Sequence, residues 1–355
     1  MYAQMARSSA KRGNGSSGQF SSWKKRNQLN TIPGVIDAAL TNFPVYIDET
    51  ILNNLPDDIW NIALNGGGDI RFSSDAQGVT RLSCEIVDFD TAAETAEIHV
   101  NVASISNTVA THIYMFYGKA GQSQPASGAA FGRDATWNSD YIFVCHCGTG
   151  TDSTGQTTLT AYNATSITGK VGKAADFNGS SQEIDYSNLP GPASNNATIE
   201  FWANFDQLAT GTIQSPISGD GDPGTFHVEQ QSGSDNLLLY MDGSNPSTQQ
   251  STWNFTVNTW EHVSINYDVG GLVVDFRRNY SDLDDDFYTS MVALGTDDEI
   301  TIGAWYNSGF QRFMDGSMDE VRISKVSRAD AYLKASYENQ NLTTNFLQAQ
   351  QFITP

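Results

Sequence analysis

Apolar residues in this chain recur with a period of two far more often than with a period near 3.6. Ile300 and Ile302 alternate with polar neighbours, a Gly-rich stretch follows, and Met318, Val321 and Ile323 resume the apolar pattern before the polar Ser324–Arg328. That spacing predicts a strand, a long loop, a second strand and then a helix from Arg328 to about Glu338. The same alternation predicts strands at residues 43–47, 70–72, 82–87, 96–102 and 111–117 in the first part of the chain. It predicts others at 197–204, 225–229, 236–241, 260–267 and 271–276 further on. Turn-rich segments such as Asn65-Gly-Gly-Gly68 and Asp75-Ala-Gln-Gly78 separate them.

Composition agrees with many short strands. Only 17% of the residues are charged, and Gly, Ser, Thr and Asn fill most polar positions. A length of 355 residues exceeds one ordinary domain of about 100 to 150 residues and implies two or three units. Residues 1–22 are polar, Gly/Ser-rich and basic, with too little apolar surface to offset the entropy of ordering, so they predict a disordered basic arm. A first unit is expected over 23–135, with a Gly/Ala/Ser linker at 121–132 near its end. A second is expected over 136–355, with a short helix and tail at its C-terminus.

The net charge of −21 is unevenly placed. Residues 1–36 hold six basic residues and no acid, so the remainder carries −27. So acidic a body is repelled by nucleic-acid phosphates and anionic membranes, which argues against both as partners. The acidic runs at 282–286 and 297–299 read as solvated loops, and neither has the spacing of the twelve-residue calcium loop. Cys84, Cys145 and Cys147 are odd in number and form no disulfide framework. In Cys145-His146-Cys147, strand alternation sends the two thiols to one face and His146 to the other, so the three do not converge on one ion. No window has the roughly 18 consecutive apolar residues of a membrane span, and the first residues lack the apolar core of a secretory signal.

Two resemblances sharpen the fold. The closing stretch, from Ile300-Thr-Ile-Gly303 to Met318-Asp-Glu-Val-Arg-Ile323, resembles the end of the laminin-G-like jelly rolls of the concanavalin A superfamily. Gly172-Lys-Ala-Ala-Asp-Phe-Asn-Gly179 and Trp260-Glu-His-Val263 fit the same family, although its usual Y-V-D-G is replaced by Val274-Asp-Phe-Arg-Arg-Asn-Tyr280. Upstream, Trp23-x-x-Arg26, Asn42-Phe-Pro-Val45, Asp69–Ser74, Glu97-Ile-His-Val100 and Ile113–Gly118 resemble domain of unknown function 2341, which typically precedes a laminin-G-like domain. Tyr141–Gly148 and Asp152-Ser-Thr-Gly155 are similar to the segment that links the two. The expected fold is therefore all-β: two tandem antiparallel β-sandwiches behind the basic arm, the second a concanavalin A-like jelly roll. This fold hosts lectins, adhesion modules and hydrolases alike.

The resemblance implies a structural calcium ion near the Phe-Asn-Gly strand and the Asp-Glu-Val strand, with Asp176, Asn178 and Asp319 as its ligands. Against that stands a plain turn at Asn178 and a strand bulge at Asp319. Glu183-Ile-Asp185 superficially begins the E-x-D-x-x-E strand of laminarinase-like hydrolases. Asn188 occupies the sixth position, and an amide delivers no proton, so the acid of the pair is missing. Sugar rings stack on exposed aromatics, which nominates Tyr240, Trp253, Trp305, Tyr306 and Asn307 as a glycan-contacting set, weighed against a role in capping the core. The function expected is a non-enzymatic structural protein of a bacterial-virus particle, made in the host cytoplasm and displaying a lectin-like domain. Its expected partners are other virion subunits or further copies of itself, and cell-surface glycans. The alternatives are a secreted adhesion or carbohydrate-binding protein and a polysaccharide hydrolase.

Overall fold

The computed structural model describes residues 19–190, 196–208, 213–220, 226–232, 236–244, 247–251, 255–287, 290–292, 299–306 and 309–350. Its described strands pair antiparallel and build two sandwiches, as the period-two pattern requires. The first sandwich sets a five-stranded sheet, in the order Leu347–Ala349, Lys25–Thr31, His112–Tyr117, Arg71–Ser73 and Arg81–Leu82, against a three-stranded one. The three-stranded sheet runs Leu40–Asp48, Thr95–Ile105 and Cys84–Asp90. Leu29, Phe43, Val45, Ile98, Val100, Ile113 and Met115 fill the space between them.

The second sandwich has eight strands in one sheet and seven in the other. The larger sheet centres on Asp315–Ser324, which is flanked by Lys173–Asn178 and Asn196–Phe205 and also pairs with Tyr141–Cys145. The seven-stranded sheet runs Thr248–Ser251, Leu237–Met241, Phe226–Gln230, Gln214–Asp220, Glu299–Ile302, Ile184–Ser187 and Thr158–Tyr162. Phe177, Ile199, Phe201, Val228, Leu239, Ile265, Ile302 and Val321 lie in the core between the two.

The structure differs from the sequence reading in three places. The C-terminal segment belongs with the first sandwich. Strand Leu347–Ala349 pairs with Lys25–Thr31, and Phe346, Leu347, Tyr332 and Ala335 enter the first core. An edge strand that leaves its N–H and C=O groups unpaired invites a partner, and the chain end supplies it here. Second, residues 282–286 lie in the strand Ser281–Phe287, paired with Val273–Arg278, where a loop was expected; Asp297 and Asp298 lie outside the described residues. Third, the arm ends earlier than expected: Phe20 is buried and packs against Trp23 and Phe116, while residues 1–18 lie outside the described residues.

The helix Asp330–Asn341 lies where the two sandwiches meet. Asn339 exchanges hydrogen bonds with the backbone of Tyr46 in the first, at 2.7 and 3.0 Å. Gln340 accepts from Trp202 Nε1 in the second, at 2.5 Å.

Candidate metal centre and ligand face

Alternation along Thr95–Ile105 puts Ile98 and Val100 into the first core and leaves Glu97 and His99 on the opposite face, toward the second sandwich. That face is met by His146, just beyond strand Tyr141–Cys145, and by Glu320 of strand Asp315–Ser324. Glu320 adopts a φ of +52° at a break in the pairing of that strand, between the residues opposite Glu200 and Trp202. The bulge turns its carboxylate out of the second core and into the junction. Glu97, His99, His146 and Glu320 are all buried, and one ligand atom from each lies within 4.8 Å of every other.

Charge-assisted contacts surround this quartet. His146 Nδ1 meets Glu320 Oε1 directly and lies 3.1 Å from Glu97 Oε1, while His146 Nε2 lies 3.2 Å from Glu85 Oε2. Glu85 is held in turn by Trp137 Nε1 at 2.6 Å and Ser153 Oγ at 2.7 Å. Arg322 pairs with the second oxygen of Glu320. The His99 ring stacks on His146, with centroids 4.6 Å apart, and on Tyr46 at 5.4 Å.

These neighbours move the titrations apart. Burial works to lower the pKa of His146 and is outweighed by the carboxylates of Glu320, Glu85 and Glu97, which hold it well above its ordinary value. His99 goes the other way, because burial dominates its carboxylate contacts. Asp319 is pushed well above the usual carboxylate range by burial and by its neighbours Glu320 and Glu97.

A second arrangement lies on the outer face of the seven-stranded sheet. Phe226 and Val228 point into the core, so His227 and Glu229 point away from it. His227 sits opposite Tyr240 on the neighbouring strand, and the two rings stack 4.4 Å apart at 7°. Trp305 leans on His227 at 5.1 Å, and the Arg312 guanidinium lies 4.1 Å over the Trp305 ring while also pairing with Glu229. Tyr240 and Trp305 are half-buried, so their rings keep part of their faces in solvent.

Residues 177–332 match the model of the concanavalin A-like lectin/glucanases superfamily. The second sandwich is a concanavalin A-like domain. Residues 66–134, within the first sandwich, match a domain of unknown function, DUF2341. No curated protein matches the chain. Among solved structures, domain 4 of AbnA, a GH43 extracellular arabinanase from Geobacillus stearothermophilus, in complex with arabinotriose, is similar at 20% identity. That match covers 55% of this chain and 97% of the other, with a TM-score of 0.43. The botulinum neurotoxin serotype D binding domain is similar at 14% identity, over 59% of this chain and 53% of its own, with a TM-score of 0.48. The binding domain of Paraclostridial Mosquitocidal Protein 1 is similar at 12% identity, over 56% and 52%, with a TM-score of 0.45. The chain thus spans about half the length of the two toxin domains.

Within the concanavalin A-like domain, the residues nominated for calcium do not share one position. Asp176 stands opposite Ser317 and accepts its hydroxyl at 2.8 Å, whereas Asn178 stands opposite Asp315 and closes a turn by accepting from Ser180 and Ser181. Asp319 lies four residues along the strand from Asp315, about 13 Å at the ordinary rise, and accepts the N–H groups of Val171 and Glu320. Of the glycan set, Tyr240 and Trp305 meet through His227; Tyr306 pairs edge-on with Phe310; Trp253 and Asn307 lie outside the described residues. Sequence reasoning missed His227, Glu229 and Arg312, although the alternation of Phe226-His-Val-Glu229 places both polar side chains on one face. It also missed the cluster of Glu97, His99 and Glu320 with His146, although it had sent His146 away from the two buried thiols.

Proposed function

We propose that the chain is a non-enzymatic carbohydrate-binding protein whose concanavalin A-like domain receives a glycan on the outer face of its seven-stranded sheet. One observation carries this reading: the stack of Tyr240, His227 and Trp305 beside the Glu229–Arg312 pair. Partly exposed aromatic faces suit the C–H face of a sugar ring, and the adjoining Arg312 guanidinium, held by the buried Glu229 carboxylate, suits its hydroxyls. The residues of the truncated hydrolase motif are engaged otherwise. Glu183 accepts from Asn163, Asp185 accepts from Thr160 and Thr301, and Asn188 occupies a left-handed position with φ +65°.

Retention of the chain by immobilised β-glucans, arabinans, galactans and bacterial surface polysaccharides tests the proposal. At least one of these should retard the wild-type protein, and Trp305→Ala and Tyr240→Ala should each weaken binding by about tenfold, equivalent to ~1.4 kcal/mol. No reducing ends should appear during incubation. Failure of every polysaccharide to bind, or Trp305→Ala with undiminished retention, would remove the glycan from this face.

For the setting, we propose a bacterial-virus particle, with the basic arm anchoring the acidic body to other virion subunits. Three positive charges in the arm, Arg7, Lys11 and Arg12, against a net −24 on residues 23–355, support that reading. Deletion of residues 1–18, which spares the buried Phe20, should abolish incorporation into particles while leaving glycan retention intact; undiminished incorporation refutes the anchor.

A further inference from the structure

We propose that Glu97, His99, His146 and Glu320 bind one divalent transition-metal ion of the zinc type at the junction, so that the ion fastens the first sandwich to the concanavalin A-like domain. Each unit supplies one imidazole and one carboxylate. Around a tetrahedral zinc with ligand bonds of about 2.0 to 2.1 Å, neighbouring ligand atoms stand about 3.3 Å apart. Here Glu97 Oε1 is 3.1 Å from His146 Nδ1 and 3.6 Å from His99 Nε2, and His99 Nε2 is 4.0 Å from Glu320 Oε1. The direct contact between His146 Nδ1 and Glu320 opens by roughly an ångström to admit the ion, which replaces the proton they share.

An independent observation points the same way. Both ring nitrogens of His99 are buried and make no hydrogen bond; Glu97 Oε1 is buried too, with the His146 Nδ1 contact at 3.1 Å falling outside hydrogen-bond geometry, and it lies 3.6 Å from His99 Nε2, so one point between the four side chains is within reach of both. Unsatisfied polar atoms of this kind are costly in a protein interior, and a cation at that point satisfies both. Charge agrees. Glu85, Glu97, Asp319 and Glu320 crowd the junction, where Arg322 is the guanidinium paired with Glu320.

The surrounding groups have the form expected around a metal. The far nitrogen of His146 meets the Glu85 carboxylate, itself fixed by Trp137 and Ser153, an arrangement that orients a ligating imidazole and raises its basicity. Arg322 fixes the far oxygen of Glu320 in the same way. Two imidazoles with two carboxylates suit zinc and its first-row neighbours, whereas calcium prefers six to eight oxygens. A cleft of about 390 Å³, lined by Tyr46, Ala96, Gly169 and Gly172 among others, reaches the Gly172 loop that covers Glu97.

The experiment uses the full chain with zinc alone and cobalt(II) alone as probes. After loading and dialysis against metal-free buffer, the wild-type protein should retain one zinc per chain, and cobalt(II) should give the visible absorption of a four-coordinate site. Zinc should raise the melting temperature, and equimolar calcium or magnesium should not. Glu97→Gln together with His99→Gln should abolish stoichiometric retention, Asp176→Asn should leave it at one, and Glu85→Gln should weaken affinity by about 10- to 100-fold. If the double variant does not fold, the wild-type results decide alone. Loss of zinc on dialysis with no change in melting temperature, calcium as effective as zinc, or zinc retained by a folded double variant would each overturn the proposal.

Discussion

Phe346 stacks on Phe43, their ring centroids 5.5 Å apart and their planes at 28°, which brings the end of the chain into the core of the first sandwich. Tyr332 meets the same phenylalanine edge-on at 5.1 Å, and its hydroxyl reaches Tyr141 of the second sandwich at 2.7 Å. The C-terminal segment is therefore a shared part of both units. Phe346→Ala should destabilise the first sandwich by about 3 to 5 kcal/mol, the cost of removing a fully buried aromatic side chain. Chemical denaturation followed by the fluorescence of the first unit's tryptophans checks this. A loss under 1 kcal/mol would mean that the segment only rests on the surface.

Most strands of the interior were legible because one face of each is apolar. Phe43, Val45 and Ile47 alternate visibly, as do Ile199, Phe201 and Ala203. The C-terminal assignment was not legible, because Leu347–Ala349 is three residues long and its partner Lys25–Thr31 lies at the other end of the chain. No local pattern records a pairing at that separation. The junction quartet failed to show for a related reason. Glu97 and His99 read as the solvent side of an alternating strand, and only the arrival of the second sandwich makes that side an interior. Tyr240 and Trp305 could be nominated as aromatics on strand ends or loops. The ring that joins them, His227, sits mid-strand and gave no sign of its neighbours.

His227 should make the concanavalin A-like domain acid-sensitive. Burial, assisted by the nearby Arg312 guanidinium, lowers its pKa to about 3. In the unfolded chain an ordinary histidine takes up its proton near pH 6.5. Between those values the unfolded state binds more protons than the folded one, so the contribution is fully present above about pH 6.5 and is lost as the pH falls toward 3. The slope approaches about 1.4 kcal/mol per pH unit as a limiting value. Glu229 and Arg312 face the same ring, so the informative variant is His227→Gln, which keeps both. Its stability should depend less steeply on pH between 6.5 and 4 than that of the wild type; parallel curves would assign the acid sensitivity to other groups.

The loop at Gly172 covers Glu97 with no room to spare. Gly172 has a φ of +53°, and a Cβ there would lie 1.9 Å from Glu97 Oε2 and 2.8 Å from its Cδ. An exposed glutamate would swing aside at little cost, but Glu97 is 1% exposed and is hemmed in by His99 and His146. Gly172→Ala therefore combines a left-handed backbone unsuited to alanine with a collision inside the junction, and should cost about 2 kcal/mol or more. Gly34 supplies the control, since a Cβ there meets nothing within 4 Å; Gly34→Ala should stay within about 0.5 kcal/mol of wild type. Both are measured by calorimetry in the presence of a chelator, so that loss of a bound ion does not enter the comparison. Equal melting temperatures for Gly172→Ala and Gly34→Ala would show that the loop yields freely and that Glu97 is less tightly held than its burial implies.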